Sequence, residues 1–494
     1  MDIKIKKLIL DIMYDDKLNS RNRYTFVEKL VNTMMKDYIS KQEKPVYINY
    51  LDKSKTNNSI IEYDLYAPNG FDDYIEKTVI EISLFHSSPM LRHTLRHKIE
   101  RFENNNYELK NIIILTMNER LNSELLADLN EHARLNVYLW DIDKFLYICE
   151  SNKELFFDTY NNLYKYIVRD TITKGIERKP KAYVKKRDQY LKDLKKEYHS
   201  DNLTLFLGAG VSHDAKIATW ENLISGLFVA LVKKSLKTNG IQLADDSEKE
   251  VIKEVMTQNG YSPLLQTRFL RQGFEEDFED LVRDILYKDA IKTSKLLTEL
   301  GQLCVSLRGK SGIKAIINYN FDDLIEKNLE LLRMKVHSIY SEGEKVENEE
   351  LGVYHVHGFL PENKGTYENL SKSLLVFSEE GYHKLSLDPY NWANMVQLEF
   401  LTKSSCLFIG LSMTDPNLRR LLDIAAQKAN NDSCNHYAFM KRIKLNADTN
   451  NQKELDSFEQ VNEELQESFF RELGVNIIWF DDFNEIPELI KEIK

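Results

Sequence analysis

Leu203-Thr-Leu-Phe-Leu-Gly-Ala-Gly-Val-Ser212 is the stretch on which the fold of this 494-residue chain turns. A short apolar run of strand length passes directly into two glycines and a serine, and a helical stretch follows. Glycines at a strand-to-helix turn let the backbone come close to a ligand, so amide N–H groups and the helix N-terminus can hold a pyrophosphate. The same residues also suit an ordinary tight turn, and the third glycine of the dinucleotide fingerprint is missing. From Ile313 to the end, strand-like segments (IKAIINYNF, LGVYHVHG, SCLFIGLS, HYAFM, VNIIWF) alternate with helical ones, which predicts an α/β domain built on a parallel sheet over 201–494. Residues 220–305 carry helical patterns without strong β signals.

Three further segments raise the interest of that turn. Asn320-Phe-Asp322-Asp-Leu-Ile-Glu326 follows the strand around Ile316–Ile317, setting an amide and carboxylates at a strand's C-terminal end, where open α/β sheets bind ligands. His355-Val-His357-Gly358 continues a strand, and alternation predicts both imidazoles on one side. Phe408-Ile-Gly410-Leu-Ser412 is a second strand-to-glycine turn, suited to the far half of a dinucleotide.

Upstream, residues 1–165 read as a separate α/β domain. Tyr24, Phe26, Val27, Leu30, Val31 and Met34 recur at helical spacing. Strands are predicted at 46–52, 60–68, 78–85, Ile112–Thr116 and Val137–Trp140, with an acidic loop over 69–77 and a basic helix over Arg92–Asn106. Asp64 and Glu81 fall on adjacent strands, a pairing that can hold a divalent metal for phosphodiester chemistry. Residues 166–200 form a basic helical linker: ten Lys or Arg face four acids within 171–197. Such a run is either a solvated face or a contact with nucleic acid or another subunit.

Composition bounds the classes. Apolar residues make up 42%, while glycine (18) and proline (9) are sparse, so disordered, collagen-like and low-complexity chains are excluded. A net charge of −11 gives the whole molecule no attraction to nucleic acid or anionic membrane; such a contact needs a local patch. Cys149, Cys304, Cys406 and Cys434 are scattered with no C-x-x-C pair, which predicts neither a disulfide framework nor a zinc site. No apolar run reaches spanning length and the N-terminus lacks a secretory pattern, so a cytoplasmic location without membrane contact is expected.

GAGVS, NFDDLIE, HVHG and FIGLSMTDPNLRRLL, in this order, resemble the sirtuin-like (silent-information-regulator) domain over about residues 200–480, in the branch serving bacterial anti-phage defence more than the protein deacylases. The resemblance implies a Rossmann-like domain binding NAD across the strand ends, with residues 220–305 as an inserted helical module. It implies Gly208, Ala209, Gly210 and Ser212 on the pyrophosphate and nicotinamide ribose, and Asp322 on the nicotinamide carboxamide. Asn320 would position the water or ribose, His357 would be the general base, and Gly410 and Ser412 would line the adenosine side. The four-cysteine zinc module of the deacylases is missing, and Lys216-Ile-Ala-Thr-Trp220 stands where they carry G-I-P-D-F-R. With no peptide substrate, water is the nucleophile: the expected activity is an NAD glycohydrolase releasing nicotinamide and ADP-ribose, depleting NAD on infection. The family also implies homo-oligomers and a hexameric HerA-type ATPase as partner.

The first domain resembles the PD-(D/E)xK restriction-endonuclease fold in its Mrr-like branch, with Asp64, Glu81 and a first-helix acid at Glu28. That resemblance implies Mg2+ and DNA, reached through this domain and the basic linker. The motif's lysine position holds Ser83, with Lys98 as a base that could migrate in. Two outcomes stay open, an active nuclease and a degenerate fold used for assembly or DNA sensing. The alternative for the whole chain is a metal-dependent DNA nuclease whose sirtuin-like part senses NAD or ADP-ribose.

Overall fold

Two sheets organise the computed structural model of the chain. It describes residues 3–15, 20–53, 60–83, 88–106, 108–117, 123–178, 181–238, 263–274, 277–305, 312–373, 375–377, 381, 385, 387–428, 436–445 and 452–494. Parts of the expected module (239–262) and linker (179–180), and Cys434, lie outside these residues. The chain divides into two compact units, one running to Lys174 and the other starting at Gly175.

In the first unit, helices α1 (Ile3–Tyr14) and α2 (Ser20–Ser40) precede strands β1 (Tyr47–Lys53) and β2 (Ile60–Ala67). The stretch read as an acidic loop holds a small hairpin, β3 (Gly70–Phe71) and β4 (Tyr74–Ile75). Its first strand needs glycine: Gly70, paired with Ile75, has φ +62°, and a Cβ there would overlap the Tyr74 carbonyl. β5 (Thr78–Ile82), α3 (Ser88–Asn105), β6 (Asn111–Leu115), α4 (Ser123–His132) and β7 (Asn136–Trp140) follow, then α5 (Ile142–Ser151), α6 (Lys153–Asn161) and α7 (Leu163–Glu177). The sheet order is β1-β2-β5-β6-β7; β1, β2 and β5 are antiparallel, and β5, β6 and β7 parallel. Alternate residues bury opposite faces: Leu65, Ile80 and Ile113 pack with Val27 and Leu30 of α2, while Tyr63, Val79 and Ile112 pack with Leu95 and Ile99 of α3.

The second unit opens with α8 (Ala182–His199) and β8 (Leu203–Leu207). Then come α9 (Trp220–Thr238), α10 (Pro263–Phe274), α11 (Phe278–Tyr287), α12 (Lys295–Cys304), β9 (Ile313–Asn318), α13 (Leu324–Leu331), β10 (Val336–Ile339) and β11 (Leu351–His355). α14 (Trp392–Lys403), β12 (Ser405–Ile409), α15 (Pro416–Lys428), β13 (His436–Lys441), α16 (Gln452–Glu472), β14 (Val475–Phe480) and α17 (Ile486–Ile493) complete it. All seven strands are parallel, in the order β10-β11-β9-β8-β12-β13-β14. This is an α/β, Rossmann-like sheet. β8 comes first in sequence and lies in the middle, with β9 on one side and β12 on the other. Strand order therefore reverses beside it, opening the crevice in which such sheets bind ligands.

Both faces of this sheet are covered. Leu205, Leu207, Leu407 and Ile409 pack against α8, α12, α13 and α17, whereas Phe206, Cys406 and Phe408 pack against α14 and α15. Two boundaries differ from the sequence reading. α12 belongs to the sheet's own layer, through Leu296, Leu297 and Leu300, so only α9–α11 form a separate cluster, around Leu227, Leu270, Phe278 and Phe377. The basic stretch is equally built in: α8 buries Tyr183, Leu191, Leu194 and Tyr198. Lys186 bonds Glu467 at 2.7 Å and Arg187 bonds Glu485 at 2.9 Å. Among the described residues no helix is long and apolar enough to cross a membrane.

Candidate functional site

The ends of β8 and β12 meet backbone to backbone. Gly208 N–H donates to the Ile409 carbonyl and Gly210 N–H to the Gly410 carbonyl, both at 3.0 Å. A Cβ on Gly210 would stand 2.7 Å from the Gly410 Cα, and Gly410 itself has φ +69°. Only glycine satisfies both requirements. The loop then winds through two 3-10 turns, Ala209–Val211 and His213–Ala215, leaving Ala209 and Gly210 exposed and burying Val211 and Ser212. Ser412 is exposed beside it, its hydroxyl 2.6 Å from that of Thr414.

Asn320 and Asp322 lie directly beneath this loop. The Asn320 Nδ2 donates to the Gly208 carbonyl at 3.1 Å and to Ser212 Oγ at 3.2 Å. Ser212 Oγ donates in turn to Asp322 Oδ1 at 3.1 Å, and the same oxygen accepts the Leu324 N–H at 3.1 Å, holding the start of α13. Burial pushes the Asp322 carboxyl up to about 6, against the pull of those two donors. Tyr287 of α11 braces the next residue: its hydroxyl donates to Asp323 Oδ1 at 2.9 Å and accepts the Asp323 N–H at 3.0 Å. Burial first, then Asp323, raises the phenol far above its ordinary value, so it stays protonated.

The two histidines of HVHG do not share a side, as alternation had predicted. β11 ends at His355, and the next two residues form a turn that redirects the second ring. His355 faces Glu326 and the Asn320 carbonyl. His357 instead lies against the Tyr319 ring at 4.4 Å between centroids, with Nε2 3.8 Å from Asp415 Oδ2. Burial lowers the His357 pKa while Asp415 pulls the other way. The net direction keeps the imidazole neutral at cellular pH, as a general base requires. Asp415 is placed by helix chemistry: it caps α15, accepting the Leu418 N–H at 2.7 Å, ahead of Pro416 at the first helical position.

Four motifs far apart in sequence thus converge on one sheet edge. Gly208, Ala209, Gly210, Ser212, Asn320, Asp322, His357, Gly410 and Ser412 all lie there. Sequence reading missed Asp415, Tyr319, Tyr287 and the Glu326–His355 pair. Asp415 had a legible signal, an Asp-Pro at a helix start inside a quoted motif; Tyr287 had none.

In the first unit Asp64 and Glu81 come together where β2 and β5 part. Asp64 Oδ2 accepts the Ile82 N–H at 2.7 Å, and Glu81 Oε1 accepts the Asp64 N–H at 3.2 Å. Lys98 of α3 forms an ion pair with Glu81 Oε2, reaching the place that Ser83 leaves without a cation. Glu81 is buried, and that burial, with repulsion from Asp64, pushes its carboxyl up to about 8 against the pull of Lys98. Glu28 stands apart from the pair, within reach of Asn32 at 3.4 Å. Among the described residues no three His, Cys, Asp or Glu side chains gather to hold a metal, so the metal site expected at Asp64 and Glu81 is at most a two-carboxylate one.

Comparison with known proteins points to the second unit. The model of a SIR2-like domain matches residues 314–466. An NAD(+) hydrolase ThsA of Enterococcus faecium is 24% identical over 302 residues, covering 59% of this chain and 55% of its own. The protein of the same name from Bacillus cereus (strain MSX-D12) is 24% identical over 315 residues, covering 62% and 56%. That from Cytobacillus dafuensis is 23% identical over 317 residues, again 62% and 56%. The chain therefore spans just over half the length of the curated relatives it matches.

Proposed function

We propose that the second unit hydrolyses the N-glycosidic bond of NAD, releasing nicotinamide and ADP-ribose, and that it does so in the cytoplasm as an effector of bacterial defence against phage. One observation carries this reading: the Asn320 amide is bonded at once to Gly208 and Ser212, directly under an exposed glycine loop at the strand-order reversal. With both N–H groups engaged, the side-chain carbonyl is left to accept from a water or a ribose hydroxyl. Gly208, Ala209, Gly210 and Ser212 would hold the pyrophosphate and nicotinamide ribose, Gly410 and Ser412 the adenosine half, and Asp322 the carboxamide of the ring. The bond from C1′ to the pyridinium nitrogen breaks with its electron pair going to nitrogen. Neutral nicotinamide leaves, and positive charge remains on the ribose. Water adds to C1′ and its proton passes to the neutral imidazole of His357. The names of the ThsA relatives support the same chemistry. Assembly as a homo-oligomer, with a hexameric HerA-type ATPase, belongs to this reading through the family resemblance.

The test is product analysis of full-length protein incubated with NAD. Wild type should release nicotinamide and ADP-ribose in equal amounts. Asn320→Ala and His357→Ala should each lower the rate by at least about a hundredfold at unchanged melting temperature. Absence of nicotinamide from wild type, assayed alone and with the ATPase, overturns the proposal.

A second reading is favoured by the Lys98–Glu81 ion pair beside Asp64. Two carboxylates and a lysine are the donor set of a restriction-endonuclease-like centre. Mg2+ fits it, because that ion keeps several waters and needs only one or two protein carboxylates. Asp64 and Glu81 would hold it, and it would supply charge to activate water toward a phosphodiester. On this reading the first unit is a metal-dependent nuclease, meeting DNA directly or through the basic stretch, and the second senses NAD or ADP-ribose. Mg2+-dependent plasmid cleavage lost in Asp64→Ala supports it; intact plasmid with wild type removes it.

A further inference from the structure

We propose that Glu326 and His355 are positioning residues for Asn320, a buried pair that sets where its side-chain amide stands under the glycine loop. The inference deepens the hydrolase reading and rests on it. Asn320 lies beyond the last ladder pair of β9, so no strand fixes its backbone. Its N–H donates to Asn318 Oδ1 at 3.1 Å, and its carbonyl accepts from His355 Nδ1 at 3.2 Å. A buried carbonyl requires a donor, and this imidazole is the one that serves it. Donation through Nδ1 fixes the ring, and Nε2 then meets Glu326 Oε1 at 2.6 Å, a short contact that leaves the ring little freedom to turn. Ser338 Oγ donates to the same Glu326 oxygen at 3.1 Å, and the Phe359 ring covers the imidazole at 4.0 Å. The two side chains are 0% and 2% exposed.

The position of the pair in sequence gives it its effect. Glu326 follows Asn320 by six residues, on α13, and His355 precedes His357 by two, at the end of β11. One short contact therefore ties together the two loops that carry the amide and the base. A buried polar pair of this kind is commonly no better for stability than apolar side chains of the same volume. What it supplies is orientation, because both partners have a single acceptable geometry. Glycosidic hydrolysis is sensitive to such placement, since an error of about 1 Å can cost about a hundredfold in rate.

The experiment uses the full-length chain and two readouts. Steady-state nicotinamide release is compared for wild type, Glu326→Leu, His355→Leu, the conservative Glu326→Gln and His355→Gln, Asn320→Ala, and the double variant His355→Leu/Asn320→Ala. Hydrogen–deuterium exchange is followed on peptides covering 318–324. The leucine variants should lose about a hundredfold in kcat with KM for NAD changed less than about threefold. The glutamine variants, which keep a hydrogen bond, should recover at least about a tenth of the wild-type rate. The double variant should be no slower than Asn320→Ala, since His355 acts through that residue. Exchange at 318–324 should rise in the leucine variants and stay low in Glu326→Gln. Unchanged kcat, losses that add in the double variant, or unchanged exchange would each overturn the proposal. If the leucine variants do not fold, the glutamine pair decides by the same kcat and exchange measurements. Wild type that releases no nicotinamide refutes the hydrolase reading, and the exchange measurement still decides whether the pair holds Asn320.

Discussion

At the fork of β2 and β5, Asp64 takes the Ile82 N–H, Glu81 takes the Asp64 N–H, and Lys98 closes over the outer Glu81 oxygen. At the end of β8, Ala209, Gly210 and Ser412 remain exposed, while Ser212, Asn320 and Asp322 bond one another beneath them. Both places gather polar groups from distant parts of the chain. The first neutralises its charges internally. The second arranges a layer of mutually bonded groups and leaves Ala209, Gly210 and Ser412 exposed above it, with a buried, neutral imidazole beside it. Ligand chemistry follows from what the folded chain leaves unused, and by that measure the second site is built for an outside molecule and the first mainly for itself.

The contrast breaks most directly at the loop. Gly210→Val inserts a branched side chain where even a Cβ would stand 2.7 Å from the Gly410 Cα. The strand ends must separate, and nicotinamide release should fall at least about a hundredfold, chiefly through lost NAD affinity. Calorimetric titration with NAD checks it; binding within about threefold of wild type would show that the loop does not carry the pyrophosphate. At the fork the corresponding change is Lys98→Met, which strands a buried Glu81. It should cost about 2 kcal/mol of unfolding free energy. Urea denaturation followed through Trp140, the one tryptophan of residues 1–174, reads this, and an unchanged midpoint would mean that the ion pair is not what holds the fork closed.

Asp322 sharpens the comparison, because it is a buried acid bonded by two neutral donors, Ser212 Oγ and the Leu324 N–H. Its carboxyl is pushed up to about 6 in the folded protein, against an ordinary value near 3.8 in the unfolded chain. The folded state therefore binds the proton more tightly, so this group's contribution to stability falls as pH rises from about 4 to about 6 and levels off above. Asp322→Asn removes that loss. Relative to wild type, its melting temperature should rise across this window, reaching a gain worth about 3 kcal/mol at neutral pH, while nicotinamide release is abolished. A difference independent of pH would mean that the carboxylate is better solvated than its burial implies.

These outcomes bear on how much of the molecule was legible in the chain alone. Strands in both sheets were legible because burial on both faces leaves a short apolar run, as in Leu203–Leu207, where Leu203, Leu205 and Leu207 face one layer and Phe206 the other. β10 was not, since Val336–Ile339 is a half-buried edge strand with a histidine and a serine in four residues. The β3–β4 hairpin was hidden in a stretch of acids for the same reason. In the site, glycine and amide positions could be read because strand ends dictate them. The opposed directions of His355 and His357 could not, because they depend on where β11 stops. Lys98 was visible as a substitute for the residue missing at Ser83, but its ion pair with Glu81 depends on how α3 packs over the sheet.

The smallest expected effect concerns the base itself. Asp415 stands 3.8 Å from His357 Nε2 and opposes the burial that lowers the imidazole's pKa, with the Tyr319 ring as the other close neighbour. Asp415→Asn keeps an acceptor for the Leu418 N–H, so α15 stays capped. It removes the carboxylate charge that raises the imidazole, whose pKa then moves further down. Because His357 works as a neutral base, the change extends the working range to lower pH and leaves neutral-pH turnover reduced only through looser orientation of the ring. Histidine-ring NMR titration of wild type and variant, assigned with His357→Ala, measures the shift directly. A pKa that rises, or does not move, on loss of the carboxylate would place Asp415 outside the electrostatic environment of the base and return it to the role of a helix cap.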